Sequence, residues 1–122
     1  MGDLFFMSKL RIITDEATTV TSDVGLNTIS HEVGFRQLIK LQHLALSCDQ
    51  VGKFRQVFIG YRIARDEKIG ILKAGYIIGY RDAIVLDSPR FLVCDFLIGR
   101  YVADAAGERM YLSFSYEPIE QR

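Results

Sequence analysis

The hydrophobic period of this chain changes near Phe54, and that change sets the expected fold class. Downstream, Val57, Ile59, Tyr61 and Ile63 alternate with Gln56, Phe58, Gly60 and Arg62. Successive side chains of a strand point to opposite faces, so a period of two predicts strand over 54–65. Further strands are expected over 69–80, 83–86, 91–102 and 109–116, with turns at Asp66–Lys68, Asp87–Pro89 and Ala105–Glu108. Upstream the pattern differs. Phe35, Leu38, Ile39, Leu41, Ala45, Leu46 and Cys48 recur at helical spacing, with Arg36, Lys40, His43 and Ser47 on the opposite face. This predicts an amphipathic helix of roughly 18 residues. Ser30 is its expected N-cap, and Glu32 in the first turn suits the positive helix end. Residues 9–14 predict a strand, Asp15–Glu16 a turn, and the β-branched run Thr18–Thr21 a short second strand.

The expected architecture is therefore α+β. One amphipathic helix packs on a curved, mostly antiparallel sheet of about four to six strands, in the order β-β-α-β-β-β-β with a closing meander. At 122 residues the chain fits a single domain over 9–118, preceded by a disordered extension at 1–8 and followed by a polar tail at 119–122. Strands 54–65, 69–80 and 91–102 carry apolar residues at both parities. Both sheet faces then need cover, and one helix cannot supply it. Self-association as a homodimer or higher oligomer is expected, since large apolar patches are partner sites.

Fifteen basic and fifteen acidic side chains cancel. A neutral domain lacks the global field of a non-specific nucleic-acid binder, so nucleic acid is not the expected partner. The charge is nevertheless uneven: between Lys53 and Arg100 nine Lys/Arg stand against five Asp/Glu, enough for a local basic patch. Cys48 and Cys94 form no C-x-x-C pair and read as small buried hydrophobes of a reducing compartment. Residues 1–7 lack the basic start and apolar length of a secretory signal, and no run approaches the ~20 apolar residues of a membrane-spanning helix. A cytoplasmic location and no membrane partner follow as expectations.

A short phrase recurs in the second half of the chain: Ile59-Gly60-Tyr61-Arg62, Ile78-Gly79-Tyr80-Arg81 and Ile98-Gly99-Arg100-Tyr101. Arginine forks match carboxylate and phosphate geometry, tyrosine stacks on rings, and glycine admits a close backbone or ligand. Arg62, Arg81 and Arg100, with Tyr61, Tyr80 and Tyr101, are the candidate ligand-binding residues. The third copy exchanges Arg and Tyr, which leaves open whether Arg100 faces the same way. No catalytic residue, metal site or cofactor is expected. His31 and His43 match no metal-ligand spacing, no nucleophile elbow is present, and no phosphate loop occurs.

The order strand, short strand, helix and meander over residues 9–116 resembles the hot-dog fold of thioesterases and dehydratases, and is similar to cystatin-like folds. The hot-dog resemblance implies a dimer and an acyl-thioester enzyme with its acid near the helix, where Glu32 stands with His31 beside it. The residues themselves favour a small non-enzymatic binding protein of inhibitor, immunity or assembly type. It would self-associate and bind a protein partner or an anionic ligand such as a nucleotide through the Arg/Tyr-rich region. Single-stranded nucleic acid is the third alternative.

Overall fold

The computed structural model describes residues 12–21, 25–48, 54–63, 68–78, 82–103 and 106–120. Among them there is no helix. Seven strands form: β1 (Ile13–Val20), β2 (Gly25–Cys48), β3 (Phe54–Ile63), β4 (Lys68–Ile78), β5 (Ala83–Leu86), β6 (Arg90–Ala103) and β7 (Arg109–Pro118). They make one antiparallel sheet in the order β1-β7-β2-β6-β3-β4, with β5 also paired to β2. The fold is all-β, and the α+β expectation is wrong.

The segment read as the helix is part of β2, a strand of 24 residues. Two irregularities explain the misreading. Between Glu32 and Gln37 the strand carries Val33–Arg36 against the single residue Asp95 of β6. Between Leu41 and His43 one residue, Gln42, is extra relative to β7. A bulge resets the two-residue alternation. The inward set is therefore Ile39, Leu41, then Leu44, Leu46 and Cys48, all buried. The three-residue step from Leu41 to Leu44 mimics a helical interval. Phe35, placed on the apolar helix face by the periodicity, is 74% exposed. Ser30 caps nothing; it lies mid-strand opposite Ile98. Asp15 and Glu16 are not a turn, because β1 runs through them to pair Phe114 and Ser113.

The meander also fails beyond its first hairpin. β3 and β4 pair as neighbours, but β5 joins β2, β6 lies between β2 and β3, and β7 lies between β1 and β2. The chain thus leaves β6 at one part of the sheet and enters β7 at another. β2 links the two: residues 25–32 and 37–41 pair β6, residues 39–41 and 43–48 pair β7, and residues 44–47 also pair β5. The sheet folds over itself, so that inner faces cover each other. Leu46 from the second half of β2 packs its methyls against Gly99 of β6, where an added Cβ would lie 2.8 Å from Cδ1. This buries one parity of these strands, while the other leaves Ile71, Tyr76, Phe91 and Val102 exposed. Cys48 and Cys94 are free and buried. Burial and the neighbouring Asp95 push the Cys94 thiol up to about 12.

A charge pair, Arg55 and Glu108, is enclosed by this closure together with the Tyr101 hydroxyl. Arg55 of β3 donates from Nε to the Tyr101 hydroxyl at 2.8 Å and from Nη2 to Glu108 Oε2 at 3.1 Å. Tyr101 donates to Glu108 Oε1 at 3.1 Å. Arg55 and Glu108 side chains are 5% and 4% exposed. Burial lowers the Arg55 pKa, but its bonds to Glu108 and Tyr101 outweigh that and hold it up. Thr21 fixes the Glu108 backbone from the end of β1, accepting from Glu108 N at 2.9 Å and donating from its own N to Glu108 O at 2.8 Å.

Candidate functional site

The outer face of β2-β6-β3-β4 carries the arginines. In β3, Arg55, Val57, Ile59 and Tyr61 point inward, which leaves Gln56, Phe58 and Arg62 outward. In β6, Tyr101 and Leu97 are fully buried, so Phe96, Arg100 and Val102 face out. Directly opposite pairs share a face. Arg62 stands opposite Phe96, and Arg100 opposite Phe58. Each guanidinium lies over the partner ring, Arg62 at 4.6 Å from the Phe96 centroid and Arg100 at 5.5 Å from that of Phe58. The exchange of Arg and Tyr in the third phrase is therefore what brings Arg100 to the same face as Arg62.

The tyrosines do not join them. Tyr101 is buried in the Arg55–Glu108 cluster, and its phenol is pushed up, first by burial. Tyr61 turns inward and lies over Gly70, whose added Cβ would meet its ring. Tyr80 and Arg81, with Gly79, lie outside the described residues. The glycines of the first and third phrases thus have packing reasons: Gly60 admits the Gly70 carbonyl, and Gly99 admits Leu46.

Next to Arg100 the sheet face is concave. A groove of about 560 Å³ runs across four strands, lined by Leu26, Gln56, Val57, Phe58, Ile71, Ala74, Gly75, Tyr76, Arg100 and Val102. Leu26, Ile71 and Tyr76 are 60–67% exposed, well above what a finished surface usually leaves for large apolar side chains in one cluster. The Nε atoms of Arg62 and Arg100 are buried and have no hydrogen-bond partner in the structure. A buried donor left unsatisfied is costly, and each Nε–H is a donor that an added acceptor would satisfy. No periodicity in the sequence marked the groove. The exposed pair Leu26 and Tyr76, far apart in the chain, meets only through the β2-β6-β3-β4 pairing.

The opposite outer face holds a second polar arrangement. His43 Nδ1 is 2.7 Å from Asp87 Oδ1, and His43 Nε2 is 3.4 Å from Ser113 Oγ. The order of contacts is that of a hydrolytic triad. However, Asp87 is 74% exposed, and β2 and β7 are paired on both sides here, so their amides are committed to the ladders. No oxyanion site is formed among the described residues, and the contact network suits a solvated sheet face.

The enzyme alternative loses its frame. The helix on which the hot-dog and cystatin-like resemblances rested is a strand, and His31 and Glu32, as successive strand residues, point to opposite faces. His31 bridges the two layers instead. Its Nε2 is 2.9 Å from the Tyr116 hydroxyl, and its ring stacks on Phe114 at 4.1 Å. Burial lowers the His31 pKa, against the opposing pull of Asp15 and Glu32. The unfolded chain then binds the proton more readily than the folded one, so the contribution of His31 is present above about pH 6.5 and is lost as pH falls through the lowered value. Urea denaturation at pH 7.5 and 5.0 is expected to show a stability loss that shrinks in His31→Phe, which keeps the stack. An equal loss in both proteins would assign the pH dependence to carboxylates alone.

No group of three or more His, Cys, Asp or Glu among the described residues is placed to hold a metal ion. Nor is any described helix long and apolar enough to cross a membrane. No protein-family model and no curated protein matches the chain. Solved structures with a similar course include a Bacillus endospore appendage pilus (9% identity, 91% of each chain, TM-score 0.48). The Yersinia pseudotuberculosis-derived mitogen is similar at 10% identity over 93% of this chain and 90% of that one, with TM-score 0.46. The Drosophila NLP core, described for pentamer formation and histone binding, is similar at 10% identity over 92% of this chain and all of that one, with TM-score 0.45. At these TM-scores the likenesses establish neither the fold nor a function of this chain.

Proposed function

We propose that this chain is a small non-enzymatic binding protein that captures an anionic group on the outer face of β2-β6-β3-β4. The observation that carries this reading is Arg100, a cation set against the Phe58 ring in an apolar groove with a buried, unpartnered Nε. The ring fixes the guanidinium plane, so less side-chain freedom is lost when its remaining donors meet an acceptor. Arg62 is a second, separate contact. Its backbone is four residues from Phe58 along β3, roughly 14 Å at strand rise, and its side chain leans toward Phe96.

Self-association belongs to the same proposal in a reduced form. The layers already cover one pair of faces, so a second copy would cover only outer apolar residues away from the groove, such as Phe35 and Phe91. A cytoplasmic location accords with the two free, buried cysteines. A thermal-shift screen against nucleotides, coenzyme A species, simple carboxylates and short oligonucleotides tests the reading. A ligand at a hundred times its dissociation constant adds about 2.7 kcal/mol, and Arg100→Gln is expected to remove that gain without lowering the melting temperature of the unliganded protein. A gain that survives in Arg100→Gln would place the binding elsewhere.

A further inference from the structure

We infer that the groove beside Arg100 takes an amphipathic monocarboxylate: one carboxylate head at the guanidinium and an apolar tail along the sheet face. The inference rests on the binding reading above and narrows its ligand. Among the described lining residues Arg100 is the sole charged side chain, and Gln56 supplies the only side-chain amide. Apart from the Tyr76 hydroxyl, the rest of the wall is hydrocarbon or ring, from Leu26 and Val102 across Phe58 to Ile71 and Tyr76. The volume, about 560 Å³, is within the range of small-molecule sites.

Charge and polarity decide between occupants. A nucleotide brings two or more negative charges and several sugar hydroxyls. One guanidinium, one amide and the Tyr76 hydroxyl are too few to satisfy them, and each buried polar group without a partner costs binding energy. Arg62 cannot share the load, because its side chain rests on Phe96, away from the groove. A second copy of this chain is also disfavoured. A two-fold pairing of this face would bring the same cations together, and Glu32 is the sole acidic side chain on the described part of β2 and β6 that faces this way. A single carboxylate matches the fork of Arg100 in charge and geometry, while an alkyl tail gains from leaving water against Leu26, Ile71 and Val102.

Dodecanoate and dodecanol, both below their aggregation concentrations, are the probes, with adenosine monophosphate as the polar anion. Binding is read by calorimetry on the full chain, and folding of each variant by denaturation. The expected result is saturable 1:1 binding of dodecanoate, weakened at least roughly tenfold in Arg100→Met, where the charged hydrogen bonds are lost. Dodecanol should bind more weakly and be indifferent to Arg100→Met. Ala74→Trp, which fills the groove from an exposed position, should abolish binding of both. Absence of saturable dodecanoate binding, or equal affinity in Arg100→Met, overturns the inference. If adenosine monophosphate then binds in an Arg100-dependent way, the ligand class fails and the binding reading stands. If no anion of either kind depends on Arg100, both fail.

Discussion

Glu108→Gln is expected to cost about 3–5 kcal/mol, the largest effect of any single change proposed for this molecule. The substitution keeps the shape of the side chain and removes its charge. The Arg55 guanidinium, 5% exposed, then faces a neutral amide where it now meets a carboxylate at 3.1 Å. Breaking a buried pair from one side is costly because the surviving charge stays desolvated. Against the ~5–15 kcal/mol that holds a typical domain, such a loss leaves a substantial unfolded population. Replacing both partners, as in Arg55→Met with Glu108→Leu, should recover much of the loss, since no charge is then stranded. Urea denaturation of the three proteins checks both statements. A loss below about 1 kcal/mol in Glu108→Gln would mean that other groups neutralise Arg55.

Gly60→Ala should be the next most damaging change, at or above the upper end of the ~1–3 kcal/mol typical of overpacking. An added Cβ would sit 2.0 Å from the Gly70 carbonyl oxygen, and that atom belongs to backbone that cannot rotate away. The β3–β4 register shifts between Ile59 and Gly60, next to this contact. Relief would require β4 to withdraw, which takes Ile71 and Ala74 with it and opens one wall of the groove. Gly99→Ala offers the contrast. Its Cβ would meet the Leu46 methyls and Ile29 Cγ2, side-chain ends that can shift where a backbone carbonyl cannot. It should cost less than Gly60→Ala. Amide hydrogen exchange localises the damage: protection should fall along β4 in Gly60→Ala and be retained there in Gly99→Ala.

The strands after Phe54 were legible because runs of β-branched and aromatic residues bounded by turn residues mark them, even where the β3–β4 register shift breaks the alternation. The expected spans 54–65, 69–80, 83–86, 91–102 and 109–116 lie within a few residues of β3 to β7. β2 was not legible, because Val33–Arg36 and Gln42 interrupt its alternation and leave apolar residues at helix-like intervals. Pairing was hidden for a different reason. Nothing local in Ala83–Leu86 specifies that it should join Leu44–Ser47 in preference to β4 or β6. The candidate site was half visible. The phrase pointed to Arg62 and Arg100, and the swapped order of the third copy proved to be the detail that aligns them. The phrase was silent about the tyrosines turning inward, since parity on a strand depends on the bulges that precede it.

Because β2 runs through both layers, neither layer can be completed before the other is started. A newly made β2 has only the four residues of β5 to pair with until β6 and β7 have also been made, and β3 and β4 can form their hairpin while it waits. For that interval most of a 24-residue strand is open along its edges, which is the condition under which chains pair with the wrong neighbour. The finished molecule therefore gains a single cooperative unit, and its assembly in a cell depends on how long that one strand stays alone.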